Sequence, residues 1–144
     1  MEELEGGCFC GAIRYRIIAE PTVVSHCHCA TCRRASGATF ITWITVSSNS
    51  FEITQGEQAV FHSTPGVNRG FCSKCGSTLS YCHNEFTDEI DVAAATLDDP
   101  EAVTPDDHIW VKERLSWIKS ADGLPQLDGS HWDHGYPNKD GSAR

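Results

Sequence analysis

Gly7-Cys8-Phe9-Cys10-Gly11 near the start of the chain and Phe71-Cys72-Ser73-Lys74-Cys75-Gly76 at its middle decide how this sequence is read. On an extended strand residues i and i+2 share a face, so Cys8 and Cys10 can meet one ion while Phe9 points away. Cys72 and Cys75 form a Cys-x-x-Cys turn, and Gly76 behind it permits the positive φ that suits a metal knuckle. Each segment supplies two sulfur ligands. Together they complete a four-thiolate tetrahedron, the closed arrangement of structural zinc, and the ion would tie the first strand to the middle of the chain. A Cys-x-x-Cys alone also fits a thioredoxin-like redox pair, but no βαβ pattern surrounds this one.

Between these segments lies Cys27-His28-Cys29-Ala30-Thr31-Cys32. Cys27 and Cys29 share a face if extended, and Cys32 can curl back through a turn. Local geometry then offers three ligands and no obvious fourth, the pattern of a catalytic zinc with one exchangeable position. Three thiolates and a divalent ion carry a net charge of about -1, which makes a soft, weak Lewis acid suited to a thiolate substrate. The alternative is a second structural site closed by Cys82 or a histidine. His26 and His28 face away from Cys27 and Cys29 on a strand, so His26 reads as a structural histidine and His28 as a support behind the ligands. Arg33 and Arg34 follow Cys32 directly. Two cations there either lower the thiol pKa values and hold a substrate carboxylate, or balance the site as solvated charges. Ser36-Gly37-Ala38 reads as a tight turn where a ligand can approach the backbone.

The rest of the sequence sets the class. Its 144 residues, 40% hydrophobic and 22% charged, fit a single zinc-binding domain over 1–144. The net charge of -9 and pI near 5.1 argue against a nucleic-acid partner, which needs a basic stripe. No apolar run approaches the roughly 18 residues of a membrane span. Met1-Glu2-Glu3-Leu4-Glu5 is acidic and lacks an apolar core, so it does not read as a signal peptide, and a cytoplasmic location is expected. Eight cysteines in a reducing compartment point to metal rather than disulfides. Ile13–Ile17, Phe40–Val46, Phe51–Ile53, Ala59–Phe61, Thr78–Tyr81 and Ile90–Ala94 are short strand candidates between turn signals, predicting a mainly β, antiparallel fold. Helix is scarce, with a turn or two expected at Cys32–Ser36 and Lys112–Lys119. The tail, 120–144, is rich in Gly, Pro, Asp and Ser and reads as irregular, with His131-Trp132-Asp133-His134 as a segment able to dock.

Taken together, Gly7-Cys8-Phe9-Cys10-Gly11-Ala12, Cys27-His28-Cys29 with Cys32-Arg33-Arg34 and Ser36-Gly37-Ala38, and Phe71-Cys72-Ser73-Lys74-Cys75-Gly76-Ser77 resemble the glutathione-dependent formaldehyde-activating enzyme family, which includes centromere protein V. Thr96-Leu97-Asp98-Asp99-Pro100, His108-Ile109 and Trp117 also look like its pattern, so the motif-bearing part runs from about residue 6 to 117. The resemblance implies a β-tent fold of short antiparallel sheets organised around zinc. It implies two ions, one structural on Cys8, Cys10, Cys72 and Cys75, and one catalytic on Cys27, Cys29 and Cys32. The implied activity is that of a carbon–sulfur lyase, an S-(hydroxymethyl)glutathione synthase that joins the aldehyde formaldehyde to the thiol glutathione. For the developing oxyanion, Arg34, a backbone N–H near Gly37 and His108 are the candidate donors. Two other classes stay open: a relative acting on a different thiol adduct, and a zinc-binding module without chemistry that binds thiols or a protein partner. An acidic chain without basic extensions leans towards the small-molecule enzyme.

Overall fold

The computed structural model describes residues 2–130. His131-Trp132-Asp133-His134 lies outside the described residues. Among the described residues ten strands are formed: β1 (Leu4–Gly7), β2 (Arg14–Ile17), β3 (Val23–Cys27), β4 (Ile41–Ser47), β5 (Phe51–Gln55), β6 (Ala59–Phe61), β7 (Val67–Phe71), β8 (Thr78–His83), β9 (Glu89–Ala93) and β10 (Asp107–Ile109). A short helix, α1 (Ala30–Ser36), follows β3. The architecture is mainly β, as expected. A three-stranded sheet has the order β1-β2-β5, and a seven-stranded sheet the order β10-β3-β4-β9-β8-β7-β6.

Period-two patterning explains the inner faces. In β2, Tyr15 and Ile17 are buried and Arg14 and Arg16 stay at the surface. Arg14 forms a two-pronged pair with Asp98, and Arg16 pairs with Glu52. These exposed pairs add little stability. The buried side chains join Ile44, Val46, Leu79, Val92 and Leu97 in the main core, which also takes in Cys8 and Cys72. The Tyr15 hydroxyl shares a 2.7 Å hydrogen bond with Thr96 at the edge of that core.

The structure departs from the sequence reading in three places. Cys8, Phe9 and Cys10 sit in a turn after β1 rather than on a strand, closed by Gly11 N–H donating to the Cys8 carbonyl at 3.1 Å. The strand pairing is antiparallel except at one edge, where β10 runs parallel to β3 with Ile109 opposite Cys27. In place of a helix over Lys112–Lys119 there is a 3-10 turn, Val111–Glu113, entered through Trp110 at φ 55°. Arg114 then returns to extended backbone and ends it. Among the described residues no helix is long and apolar enough to cross a membrane.

Ile44 is wholly buried at the centre of β4, whereas Ile18 is exposed. Ile44→Ala is expected to cost about 2–5 kcal/mol through lost burial and a residual cavity, and Ile18→Ala within about 0.5 kcal/mol. Urea unfolding at a fixed metal level measures both.

Candidate active site

Cys8, Cys10, Cys72 and Cys75 converge, their sulfurs within 4.8 Å of one another. The Cys8 and Cys10 sulfurs are 3.6 Å apart, and those of Cys10 and Cys72 are 3.8 Å apart. Sulfur–metal bonds of about 2.3 Å put tetrahedral ligands about 3.8 Å from each other, so the spacing fits an ion. The local chain explains the convergence. Gly76 takes φ 80° and donates to the Cys72 carbonyl at 2.8 Å, closing the knuckle. Ser77 sets its hydroxyl 3.2 Å from the Cys75 sulfur and draws that thiol down to about 5. The same Ser77 hydroxyl accepts from Phe9 N–H at 2.9 Å, joining the two half-sites directly.

The second group is Cys27, Cys29 and Cys32. Cys27 ends β3, Cys29 caps α1, and Cys32 lies on its first turn. Cys32 N–H donates to the Cys29 sulfur at 3.4 Å, and Gly37, at φ 73°, closes the other end of the helix onto the Arg33 carbonyl. The Cys27 sulfur is 3.4 Å from that of Cys29 and 3.7 Å from that of Cys32. Cys27 donates to its two neighbours and its pKa is driven up by them. Cys29, accepting from Cys27 and then Cys32, is drawn down to about 2. The thiols thus share charge unevenly, as sulfurs packed closely enough to meet one cation do. Trp43, Ala93 and Ile109 pack around Cys27 and Cys32.

These sulfurs lie at a cavity of about 520 Å³ whose walls include Trp43, Tyr81 and Ile109. Cys82 and His83 also line it, yet neither joins the three thiols. Among the described residues, then, the group has three sulfur ligands and no fourth of Cys, His, Asp or Glu.

The arginines are arranged differently from the sequence expectation. Successive helical residues turn by about 100°, so Arg34 points well away from Cys32. Arg34 is exposed and lines a neighbouring cavity of about 450 Å³, which shares Thr31 and Arg69 with the first. Arg33 reaches backbone oxygens, those of His28 at 3.4 Å and Glu113 at 3.3 Å. The guanidinium that meets the thiols belongs to Arg69 of β7, which is 7% exposed. Both of its terminal nitrogens lie 3.8 Å from the Cys32 sulfur, and it stacks over the Tyr81 ring at 5.0 Å.

Strand alternation sends the histidines to the opposite face. His28 Nε2 is 2.8 Å from His108 Nδ1, and His108 Nε2 is 2.8 Å from Asp122. His26 Nδ1 is 2.8 Å from the Thr42 hydroxyl. Burial first, and then the charge of Arg114, pushes His28 down to about 4, so it stays neutral. His108 and Gly37, both candidate oxyanion donors from the sequence, are absent from the cavity walls.

A mainly β fold with one four-thiol and one three-thiol group, the latter beside a cavity, defines a protein whose cysteines are placed to hold metal ions. The sequence pattern of the glutathione-dependent formaldehyde-activating enzyme matches residues 3–113, and the chain belongs to that family. It is 28% identical over 115 residues to an uncharacterized lyase of Schizosaccharomyces pombe, covering 79% of this chain and 82% of that one. It is 25% identical over 130 residues to a protein of Halomonas elongata named as a putative glutathione-dependent formaldehyde-activating enzyme, covering 81% and 80% respectively. A crystal structure of a Rhodobacter sphaeroides protein shares the fold, with a TM-score of 0.54 at 19% identity over 85% of this chain and 98% of that one.

The four-thiol group joins segments far apart in the chain, whereas the three thiols lie within six residues. Cys75→Ser opens the clasp between distant segments and is expected to yield insoluble or readily unfolded protein. Cys29→Ser is expected to stay folded and to lose one equivalent of metal, measured by elemental analysis beside circular dichroism. Equal unfolding of the two variants would make both groups structural.

Proposed function

We propose that the protein is a zinc-dependent carbon–sulfur lyase that reversibly joins an aldehyde such as formaldehyde to a small-molecule thiol such as glutathione. The observation that carries this reading is the three-sulfur group with no fourth ligand among the described residues, set beside a cavity large enough for a small thiol. Cys8, Cys10, Cys72 and Cys75 hold the structural ion, and Cys27, Cys29 and Cys32 the catalytic one. A zinc ion on three thiolates supplies a soft Lewis-acid position that favours the deprotonated form of a substrate thiol.

The chain's own residues supply the rest. In the forward direction a sulfur–carbon bond forms, the carbonyl π bond breaks, and the thiol proton ends on the new hydroxyl oxygen. The charge that develops on that oxygen needs a donor. Tyr81 lines the cavity, and its phenol is raised by burial first and then by Asp91, so it keeps its proton at neutral pH. The catalytic part expected of Arg34 passes in this reading to Tyr81 and Arg69, because these two line the cavity at the sulfurs and Arg34 borders only the neighbouring one. Arg69 offsets the negative charge of the thiolates and meets Cys32 at the cavity wall. Trp43 and Ile109 form apolar wall beside the sulfurs, which strengthens every polar interaction there.

The test is exchange spectroscopy by NMR on an aldehyde, a thiol and their adduct at equilibrium, each set against a protein-free control because thiols and formaldehyde combine unaided. The expected result is faster exchange with the wild type, little or none with Cys29→Ser, and an acceleration lowered roughly tenfold or more by Tyr81→Phe. Metal analysis should find close to two zinc per chain. Thiol binding without faster exchange would overturn the lyase reading and leave a carrier or sensor.

A further inference from the structure

The imidazole face behind the thiols brings a third group of donor atoms together. One nitrogen of His26, one of His108 and a carboxylate oxygen of Asp122 lie within 4.8 Å of one another. They come from three segments. His26 is on β3 and His108 opposite it on β10. Asp122 opens the stretch that runs along β10, where His108 N–H donates to the Pro125 carbonyl at 2.9 Å and Leu127 N–H to the His108 carbonyl at 2.9 Å. A row of hydrogen bonds from Asp122 through His108 to His28 is complete with three members. His26 lies off that row, its ring 4.7 Å from that of His108, and adds a further donor at the same place.

Each histidine has one ring nitrogen held by a neighbour and one left over. His26 Nδ1 is 2.8 Å from the Thr42 hydroxyl, and His108 Nδ1 is 2.8 Å from His28 Nε2. Metal-ligating histidines carry this kind of support, which fixes the tautomer and the ring orientation. With His108 Nδ1–H donating to His28, Nε2 of His108 is a bare lone pair 2.8 Å from an Asp122 oxygen, and two acceptors so close need a cation between them. The other Asp122 oxygen is taken by Leu124 N–H at 3.1 Å. Bonds of about 2.1 Å from metal to nitrogen and oxygen put neighbouring ligands about 3.0–3.4 Å apart, so an ion needs only small shifts here. Asp122, 38% exposed, is the ligand free to make them. We propose that His26, His108 and Asp122 form a third metal site, which takes a borderline divalent cation such as zinc or cobalt on the face of the sheet opposite the thiols. Two imidazoles and one carboxylate suit such an ion, whereas softer ions go to the sulfurs. With three protein ligands, one of them exposed, the ion exchanges readily and is lost on dialysis, unlike an ion held by thiolates. The site does not depend on the lyase reading.

The test is a titration of the full-length protein with cobalt(II), followed by calorimetry and by absorption. Cobalt bound to thiolates shows an intense sulfur-to-metal charge-transfer band in the near ultraviolet, and cobalt on nitrogen and oxygen does not. The expected result is one equivalent bound without that band. Thr42→Val, which removes the support of His26 and no ligand, weakens its binding about tenfold. Asp122→Asn, which changes a ligand, weakens it further. Nitrogen-15 NMR of the wild type needs no variant to fold: added zinc is expected to shift the ring nitrogens of His26 and His108. Three results would each overturn the proposal: no equivalent bound outside the sulfurs, an equivalent that Asp122→Asn binds as tightly as the wild type, or ring signals of His26 and His108 that stay in place when zinc is added.

Discussion

The convergence of the Cys8, Cys10, Cys72 and Cys75 sulfurs is the constraint on which the rest of the structure depends. The loop after β1 belongs to the three-stranded sheet, and the knuckle after β7 to the seven-stranded one. Elsewhere backbone contacts tie β1 to the segment after β9, through the bridge between Gly6 and Leu97 and the bond from Asp98 N–H to the Glu5 carbonyl. A cross-link between segments so far apart in the chain removes a large loop entropy from the unfolded state, as a disulfide would. A metal held there would do this without oxidation, and its binding free energy would become folding free energy. The knuckle also fixes the end of β7, and β7 carries Arg69. The clasp therefore sets the position of the guanidinium that reaches the second thiol group.

That second group shows how a strand edge can serve two faces. Over His26-Cys27-His28-Cys29 the side chains alternate between a sulfur face on the cavity and an imidazole face behind it. The parallel pairing of β3 with β10 extends the alternation across the sheet, with His108 opposite His26 and Ile109 opposite Cys27. His28 N–H donates to the Ile109 carbonyl at 3.0 Å, so the backbone between the two thiols is held just where β3 ends. The stacked rings of His28 and His108 then lock the rear of the segment. Sulfurs that must meet one ion gain from such support, because a ligand that does not move costs little ordering on binding.

What the sequence made legible was local, and what it hid was non-local. The cysteine spacings announced both thiol groups because the ligands of each half lie within a turn of one another. Strand candidates with β-branched or aromatic alternation, such as those at Phe40–Val46 and Ile90–Ala94, correspond to β4 and β9. Four strands had no such signal. Leu4–Gly7 and Val67–Phe71 are interrupted by glycine or polar residues, Val23–Cys27 ends inside the cysteine motif, and Asp107–Ile109 is three residues long. They are strands because partners exist to pair with them, which is tertiary context overriding propensity. Arg69 was invisible for the same reason. Nothing near it in sequence names Cys32; the pairing of β7 with β8 sets it opposite Tyr81, and the packing of the fold brings it to α1. Arg33 and Arg34 were conspicuous beside Cys32, but helical geometry turned them aside.

A buried guanidinium is tolerable only where something compensates its charge. Arg69 has Ser63 as a neutral partner at 3.3 Å and the Tyr81 face, neither of which neutralises it. The compensating charge would be that of the thiolates of Cys27, Cys29 and Cys32, the last of which Arg69 meets directly. The dependence runs both ways. Three thiolates around a divalent ion would leave about one unit of negative charge, which Arg69 is placed to balance from the protein side.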